Sequence, residues 1–296
     1  MIRTIPRALL VVVSILVGVA GSYAQSPIRV MSFNIRYGAA NDGENHWKHR
    51  KEMVADVIRD FAPDVLGVQE ALGFQSEFLR DQLDGYSYFG RSRMTTPNEH
   101  CGIFFNSQRF VQLAGGHFWL SENPEVPASK SWDSSLPRMA TWLLLQDVDG
   151  GSPVLMVNTH FDHRGREARQ RSAELLARRV VKLRGLADAP RIIVTGDFNT
   201  GEGTGPHMAL VGETLQDSLR AKHPEATANE GTFNGWQGKS DGARIDWILF
   251  AGEQIVDSAQ IIRTNVKGRY PSDHFPVTAV LAPETQASSG PDESNR

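Results

Sequence analysis

The stretch from Arg191 to Gly205, RIIVTGDFNTGEGTG, decides how this chain is read. Its β-branched run Ile192, Ile193, Val194 has the pattern of a buried strand. Yet the run ends by presenting a carboxylate and an amide, Asp197 and Asn199, two positions apart and just before a Gly-rich loop. Taking a carboxylate out of water is costly unless something compensates it. Asp and Asn are also good turn formers, so this end taken singly is compatible with an ordinary turn.

The same ending recurs along the chain. VMSFN stops at Asn34, VLGVQE at Glu70 and LMVNTHFDH at His160. RIDWILF opens with Asp246, and YPSDHFPV carries Asp273 and His274 just before the last apolar run. Six such strand ends exceed what turn chemistry requires. Asp, Glu and Asn oxygens without a Cys-rich cluster favour a hard cation, Mg²⁺ or Mn²⁺, over structural zinc. Two His beside them supply proton transfers that the cation cannot. A hard cation with His and Asn is chemistry suited to a phosphate ester.

Between these ends the chain alternates short strands with helices. IRVMSFNI, DVLGVQE, CGIFFN, TWLLLQDV, PVLMVNTH, RIIVTGDF, RIDWILF and VTAVL read as strands. Helices are expected over Trp47–Phe61, with Met53, Val54, Val57, Ile58 and Phe61 on one face, over Glu77–Leu83, and over Arg166–Leu186. No internal repeat or composition shift divides the chain, so residues 27–283 are expected to form one domain. Residues 284–296 are polar and aperiodic, the pattern of a disordered tail.

Residues 1–24 read as a signal peptide. Arg3 and Arg7 precede the apolar run Ala8–Ala20, and Ser22 and Ala24 supply small cleavage-site residues. The alternative is an N-terminal membrane anchor, for which the apolar run is short. Export to the periplasm or the extracellular space follows from the first reading. The 31 Lys and Arg against 34 Asp and Glu give a formal charge of −3; without the leader's two Arg the balance is 29 against 34, or −5. Dedicated duplex binders carry the opposite sign. The single Cys101 beside GIFF cannot form an internal disulfide and reads as a buried small hydrophobe.

In order, SFNIRYG, LGVQE, NEHCGIFFN, NTHFDH, GDFNT, RIDWILF and SDHFPV resemble the endonuclease/exonuclease/phosphatase superfamily, the DNase I-like group, as an exported bacterial-type member. The resemblance runs from about Ile28 to Leu281. It implies an α/β fold, a four-layered α/β sandwich of two mainly antiparallel sheets flanked by helices, with the site at one end. It further implies that Glu70 is the principal metal ligand, with Asn34 beside it and Asp273 assisting. Asp197 and Asn199 resemble the pair that orients the attacking water and contacts the phosphate. His274 resembles the base or transition-state donor, oriented by Asp246, and Asp197 shares the role of base. His160 is similar to the second catalytic His, and Glu99 to the acid that pairs with it. The NTH at His160 resembles the DNase I and phosphatase branches, whereas apurinic endonucleases carry a different motif there.

Substrate recognition is less sharply marked. HFDHRGREARQR places His163, Arg164, Arg166 and Arg169 at the start of a helix, a natural anion site. Glu167 and Glu174 could equally neutralise it as a solvated face. The long segment SENPEVPASKSWDSSLPRMATW offers Trp132 and Arg138 as pocket flanks, with Trp236 elsewhere, unless the Trp residues cap the core. The expectation is a Mg²⁺- or Mn²⁺-dependent phosphoesterase, acting as a monomer without a stable membrane anchor on a small phosphorylated molecule such as a sugar or inositol phosphate. The alternative is a secreted DNase I-like nuclease, nucleic acid being possible but not favoured.

Two further readings have less behind them. NTHFDH is one residue from an H-x-H-x-D-H zinc motif, with Asn158 where a His should stand, and His207 and His223, read as loop residues, do not complete it. A non-catalytic binding module on the same scaffold leaves the reactive strand ends without a purpose.

Overall fold

The computed structural model describes residues 26–284, apart from 189 and 213. The expected signal peptide 1–24 and residues 285–296 of the expected tail lie outside the described residues.

Two six-stranded sheets pack face to face. The first contains β1 (Ile28–Asn34), β2 (Val65–Ala71), β3 (Tyr86–Phe89), β4 (His100–Asn106), β11 (Gln254–Ile261) and β12 (Val277–Pro283), in the order β11-β12-β1-β2-β4-β3. The second contains β5 (Phe110–Trp119), β6 (Met139–Asp147), β7 (Val154–His160), β8 (Arg191–Asp197), β9 (Gln216–Asp217) and β10 (Asp246–Ala251), in the order β5-β6-β7-β8-β10-β9. Each sheet is antiparallel except for one central parallel pair, β1 with β2 and β7 with β8. Helices α1 (Trp47–Phe61) and α2 (Gly73–Gln82) belong to the first sheet's side, and α3 (Arg166–Arg184) and α4 (Gly205–Leu210) to the second's. A short α5 (Ser218–Lys222) follows β9. This is the expected four-layered sandwich.

Strand periodicity sorts the side chains into three cores. In β1, Ile28 and Val30 enter the core between the sheets, while Met31 and Phe33 face α1. In β8, Ile193 enters the inter-sheet core, while Ile192 and Val194 face α3. Central strands are therefore buried on both faces, which is why they read as continuous apolar runs.

Toward one end of the sandwich the inter-sheet layer turns polar. Asn158 donates to the Val68 and Gly102 carbonyls at 2.9 and 2.8 Å and accepts from Gln69 Nε2 at 2.6 Å and Thr195 Oγ1 at 3.0 Å. Every one of its groups is satisfied by both sheets, so this buried amide clamps them together. Gly67 makes the close approach possible, since a Cβ there would lie 2.2 Å from Thr195 Oγ1.

Helix α2 begins at Gly73 rather than at Glu77. The Gln75 side chain accepts from the Leu72 amide at 3.0 Å, closing the first turn despite its poor helix formers. Strands β3, β5, β9 and β11 and helices α4 and α5 were not expected from the sequence pattern.

Candidate active site

The alternation that buries Val30, Met156, Ile193 and Ile248 between the sheets carries Asn34, His160, Asp197 and Asp246 to the same inter-sheet face at one end. Register then aligns them. Asp197 lies opposite Asp246 across β8–β10 and opposite His160 across β7–β8. Asn34 reaches across from the first sheet, donating to Asp197 Oδ2 at 3.0 Å and to Glu70 Oε1 at 3.2 Å. The GDFN strand end is one position in a row of polar groups set between two sheets.

Glu70 breaks the alternation. Period two would send it toward α1 with Leu66 and Val68. A left-handed backbone, φ 59°, instead directs it to the cleft, where it accepts from the Tyr37 amide at 2.8 Å. Arg36 and Asn199 are also left-handed, at φ 57° and 50°. Such conformations are costly for non-glycine residues and persist where surrounding contacts fix them. The Arg36 amide donates to Asn34 Oδ1 at 3.0 Å and the Asn199 amide to Asp197 Oδ1 at 2.9 Å. Buried Arg50 braces this rim from α1, donating to the carbonyls of Ile35 at 2.7 Å and Pro271 at 2.9 Å.

His274 sits between carboxylates, with Nδ1 2.9 Å from Asp246 Oδ2 and Nε2 3.9 Å from Asp197 Oδ2. Burial alone would lower its pKa, but the Asp246 and Asp197 charges outweigh it and hold the ring protonated well above the usual His range. Asp197 is pushed up to about 7, first by burial and then by Asp246. His160 is the opposite case. Burial, with Arg138 and Arg93 nearby, keeps it neutral, and its Nε2 accepts from Asn199 Nδ2 at 3.1 Å.

These groups open into one cleft of about 680 Å³. It contains Glu70, Glu99, Arg138, His160, Asp197, Asn199, Asp273 and His274 from the expected set. Asn34 and Asp246 stand directly behind, bonded to cleft residues.

Three expectations are corrected. Glu99 pairs with Arg93 at 2.7 Å, not with His160, whose near polar neighbours are Asn199 and Asp197. Trp132 lines a separate hollow with Glu122 and Arg178, because the loop turns away through a left-handed residue at that position, φ 57°. Trp236 is likewise outside the cleft lining and lies 5.2 Å from the Arg50 guanidinium.

Nor is the start of α3 an open anion site. Asp133 accepts from the Ala168 and Glu167 amides at 2.6 and 3.2 Å, already filling the helix N-terminus. Arg164 is exposed next to the cleft residue His163 but does not line the cleft itself. His207 is buried in α4 against Asp217 at 3.2 Å, and His223 Nε2 lies 3.0 Å from the Ala259 carbonyl. With Asn158 spent on clamping the sheets, the zinc-motif reading has no ligand set.

Arg36, Tyr37, Leu136, His163 and Phe233 also line the cleft. Apart from His163, which HFDHRG had brought into view, they carry no strand-end signature, and their position depends on loop paths.

The donor set fits a hard cation. Asp197 and Asp246 offer carboxylate oxygens within 4.8 Å of one another, Glu70 and Asp273 face the same cleft, and protonated His274 stands beside them as a donor. Asp246 Oδ1 is buried and finds no hydrogen-bond partner among the described residues. Glu70, Asp197, Asp246 and Asp273 crowd four carboxylates into one place, and a divalent cation would relieve their mutual repulsion.

The model of the endonuclease/exonuclease/phosphatase family matches residues 31–274, most of the chain and every residue of this array. The chain belongs to that family. An endonuclease/exonuclease/phosphatase family structure from Bacteroides vulgatus is similar at 32% identity and TM-score 0.80, covering 88% of this chain and all (100%) of that one. A mannosyl-6-phosphatase from Bacteroides thetaiotaomicron is similar at 32% identity and TM-score 0.79, over 86% of this chain and 99% of that one. Mouse nocturnin is 25% identical over 287 residues; the match covers 86% of this chain and spans 64% of nocturnin's length. Members of this family are hydrolases that act on phosphate esters. Among the described residues, no helix is long and apolar enough to cross a membrane.

Proposed function

We propose that this family member is a Mg²⁺- or Mn²⁺-dependent phosphoesterase that cleaves a small phosphorylated molecule, a sugar phosphate in particular, by in-line attack of water. The observation that carries the reading is the shared cleft of Glu70, His160, Asp197, Asn199 and His274. The mannosyl-6-phosphatase relative supports the sugar-phosphate choice. So does the chain's net negative charge, which disfavours a long polyanion.

Each residue has a role that its environment supports. Asp197 orients the water and accepts its proton as the new P–O bond forms, while the P–O bond to the alcohol breaks on the opposite side and the departing oxygen takes its proton from solvent. His274, kept protonated by Asp246, donates to a phosphoryl oxygen as negative charge builds there. Asn199 and neutral His160 flank the same oxygens. Arg138, whose buried Nε and Nη1 find no hydrogen-bond partner among the described residues, offers a further fixed positive charge. Asn34, Glu70 and Asp273 would hold the cation, which supplies Lewis-acid polarisation of the ester when bound.

Residues 1–24 direct export in this reading, and the mature protein acts as a monomer without a membrane anchor. A panel of sugar phosphates, inositol phosphates, simple diesters and DNA, assayed with Mg²⁺, tests the substrate choice. Phosphate release from the small esters is expected; cleavage of DNA with no small-ester turnover would replace this reading with a nuclease.

A further inference from the structure

Two cleft residues, His163 and Phe233, stand outside the bond-breaking array. Their surroundings define what each can offer a substrate.

Phe233 is 51% exposed, although its backbone is held from several sides. Thr232 Oγ1 accepts from the Ile245 and Asp246 amides at 3.0 and 3.1 Å, and the Asn234 amide donates to the Asp273 carbonyl at 2.7 Å. The Phe233 ring meets His274 edge to face, with centroids 5.2 Å apart. A large apolar surface is therefore fixed in place beside the reacting groups and left open to the cleft. Ligand sites combine such aromatic walls with a few placed polar groups.

His163 supplies one such group. Its Nδ1 lies 3.0 Å from Arg138 Nη2. A guanidinium only donates, so Nδ1 is the acceptor and the ring's proton is on Nε2. Arg138 is itself buried and 3.6 Å from Asp162, which fixes the pair. The exposed His163 ring thus carries a single uncharged N–H donor of set tautomer at the cleft. Arg36, the other guanidinium lining the cleft, is engaged by Asp42 at 2.9 Å and Asp273 at 3.7 Å.

An apolar ring with one neutral donor suits an uncharged, saturated, hydroxylated ring: C–H groups against the aromatic face, a hydroxyl oxygen on the N–H. We infer that His163 and Phe233 select the alcohol half of the ester, His163 by donating to a ring hydroxyl and Phe233 by packing on the C–H face of a cyclic polyol. This rests on the proposed phosphoesterase reading and specifies the substrate that the cleft prefers.

The test is a ratio: kcat/KM for mannose 6-phosphate over kcat/KM for ethyl phosphate, which has neither ring nor hydroxyl, both with Mg²⁺. His163→Phe and Phe233→Leu should each lower that ratio about tenfold, the scale of a lost hydrogen bond or apolar contact in a specificity pocket. His163→Gln, which keeps an N–H donor, and Phe233→Tyr, which keeps the ring, should restore most of it. A merely structural role would depress both esters together, leaving the ratio unmoved, and would overturn the inference. So would a wild-type ratio near one, or a preference for a nucleoside monophosphate that depends on Phe233 alone. Wild-type protein inert toward every ester would overturn the parent reading along with this one, whereas an active enzyme with an unmoved ratio overturns this one only. The two positions are independent, so either variant decides the question for its own residue.

Discussion

His274 is held between two carboxylates, bonded to Asp246 at 2.9 Å while its second nitrogen lies 3.9 Å from Asp197. Asp246 and Asp197 are themselves cross-strand neighbours. Sheet register thus creates the charge that keeps His274 protonated and, added to burial, the repulsion that raises Asp197.

Replacing Asp246 with Asn keeps the shape and removes the charge. The Asp246→Asn variant should fold and lose about 10²- to 10⁴-fold in kcat, the range for disabling an acid–base partner. Steady-state kinetics on a small phosphate ester checks this; a loss under threefold would remove Asp246 from the account.

Cation uptake should be linked to protons. In metal-free protein, burial and Asp246 push Asp197 up to about 7, so below that pH a proton increasingly occupies the site. A divalent cation favours the ionised form. Apparent Mg²⁺ affinity should fall as pH drops from 7.5 to 6, approaching tenfold per unit, with proton release on binding near pH 7. Calorimetry in buffers of different ionisation enthalpy measures both. Affinity flat across that range would count against an Asp197-linked site.

Asp162 ties the loop before β6 to the turn after β7. It accepts from the amides of Ser135, Leu136, Arg164 and Gly165 at 3.0, 3.2, 2.9 and 2.7 Å and lies 3.6 Å from Arg138. Asp162→Ala leaves those amides without their acceptor and removes the carboxylate beside the buried Arg138 guanidinium. It should cost about 2–3 kcal/mol of stability in a urea titration, together with a raised KM because Arg138 and His163 lose their support. Unchanged stability would show that solvent takes over these bonds.

His117 predicts a pH effect on stability away from the cleft. It stacks on Phe89 with centroids 4.9 Å apart, and burial lowers its pKa to about 4. The unfolded chain, with an ordinary His pKa near ~6.5, takes up a proton first. This contribution is complete above about pH 6.5 and is lost progressively as pH falls toward 4. His117→Gln should therefore show a shallower decline of urea midpoint over that interval; parallel curves for both proteins would contradict it.

The site was largely legible because its residues sit where apolar runs end, and strand periodicity fixes their direction. Asn34, His160, Asp197 and Asp246 all continue a buried face, so position along the strand carried their geometry. Glu70 converges through a left-handed turn that alternation does not reveal. Trp132, Trp236, Phe233 and Arg36 lie on irregular segments, where composition says nothing about direction. Among the elements, β5 escaped notice because its burial is patchy and Gly115 and Gly116 interrupt it; they make room for Leu143 and Trp142 of β6. Strand β11 lies at a sheet edge with alternate residues exposed, and the remaining elements are six residues or shorter.

The central claim is that Asp197 and His274 hydrolyse a phosphate ester with the help of a divalent cation that Asn34, Glu70 and Asp273 would hold. The direct measurement is phosphate release from mannose 6-phosphate by chelator-treated protein, before and after Mg²⁺ is returned, alongside His274→Ala. The account predicts turnover near background in chelator, recovery with Mg²⁺, and a loss of at least about 10²-fold in the variant under all conditions. Undiminished turnover in excess chelator, or full activity without the His274 ring, would contradict it.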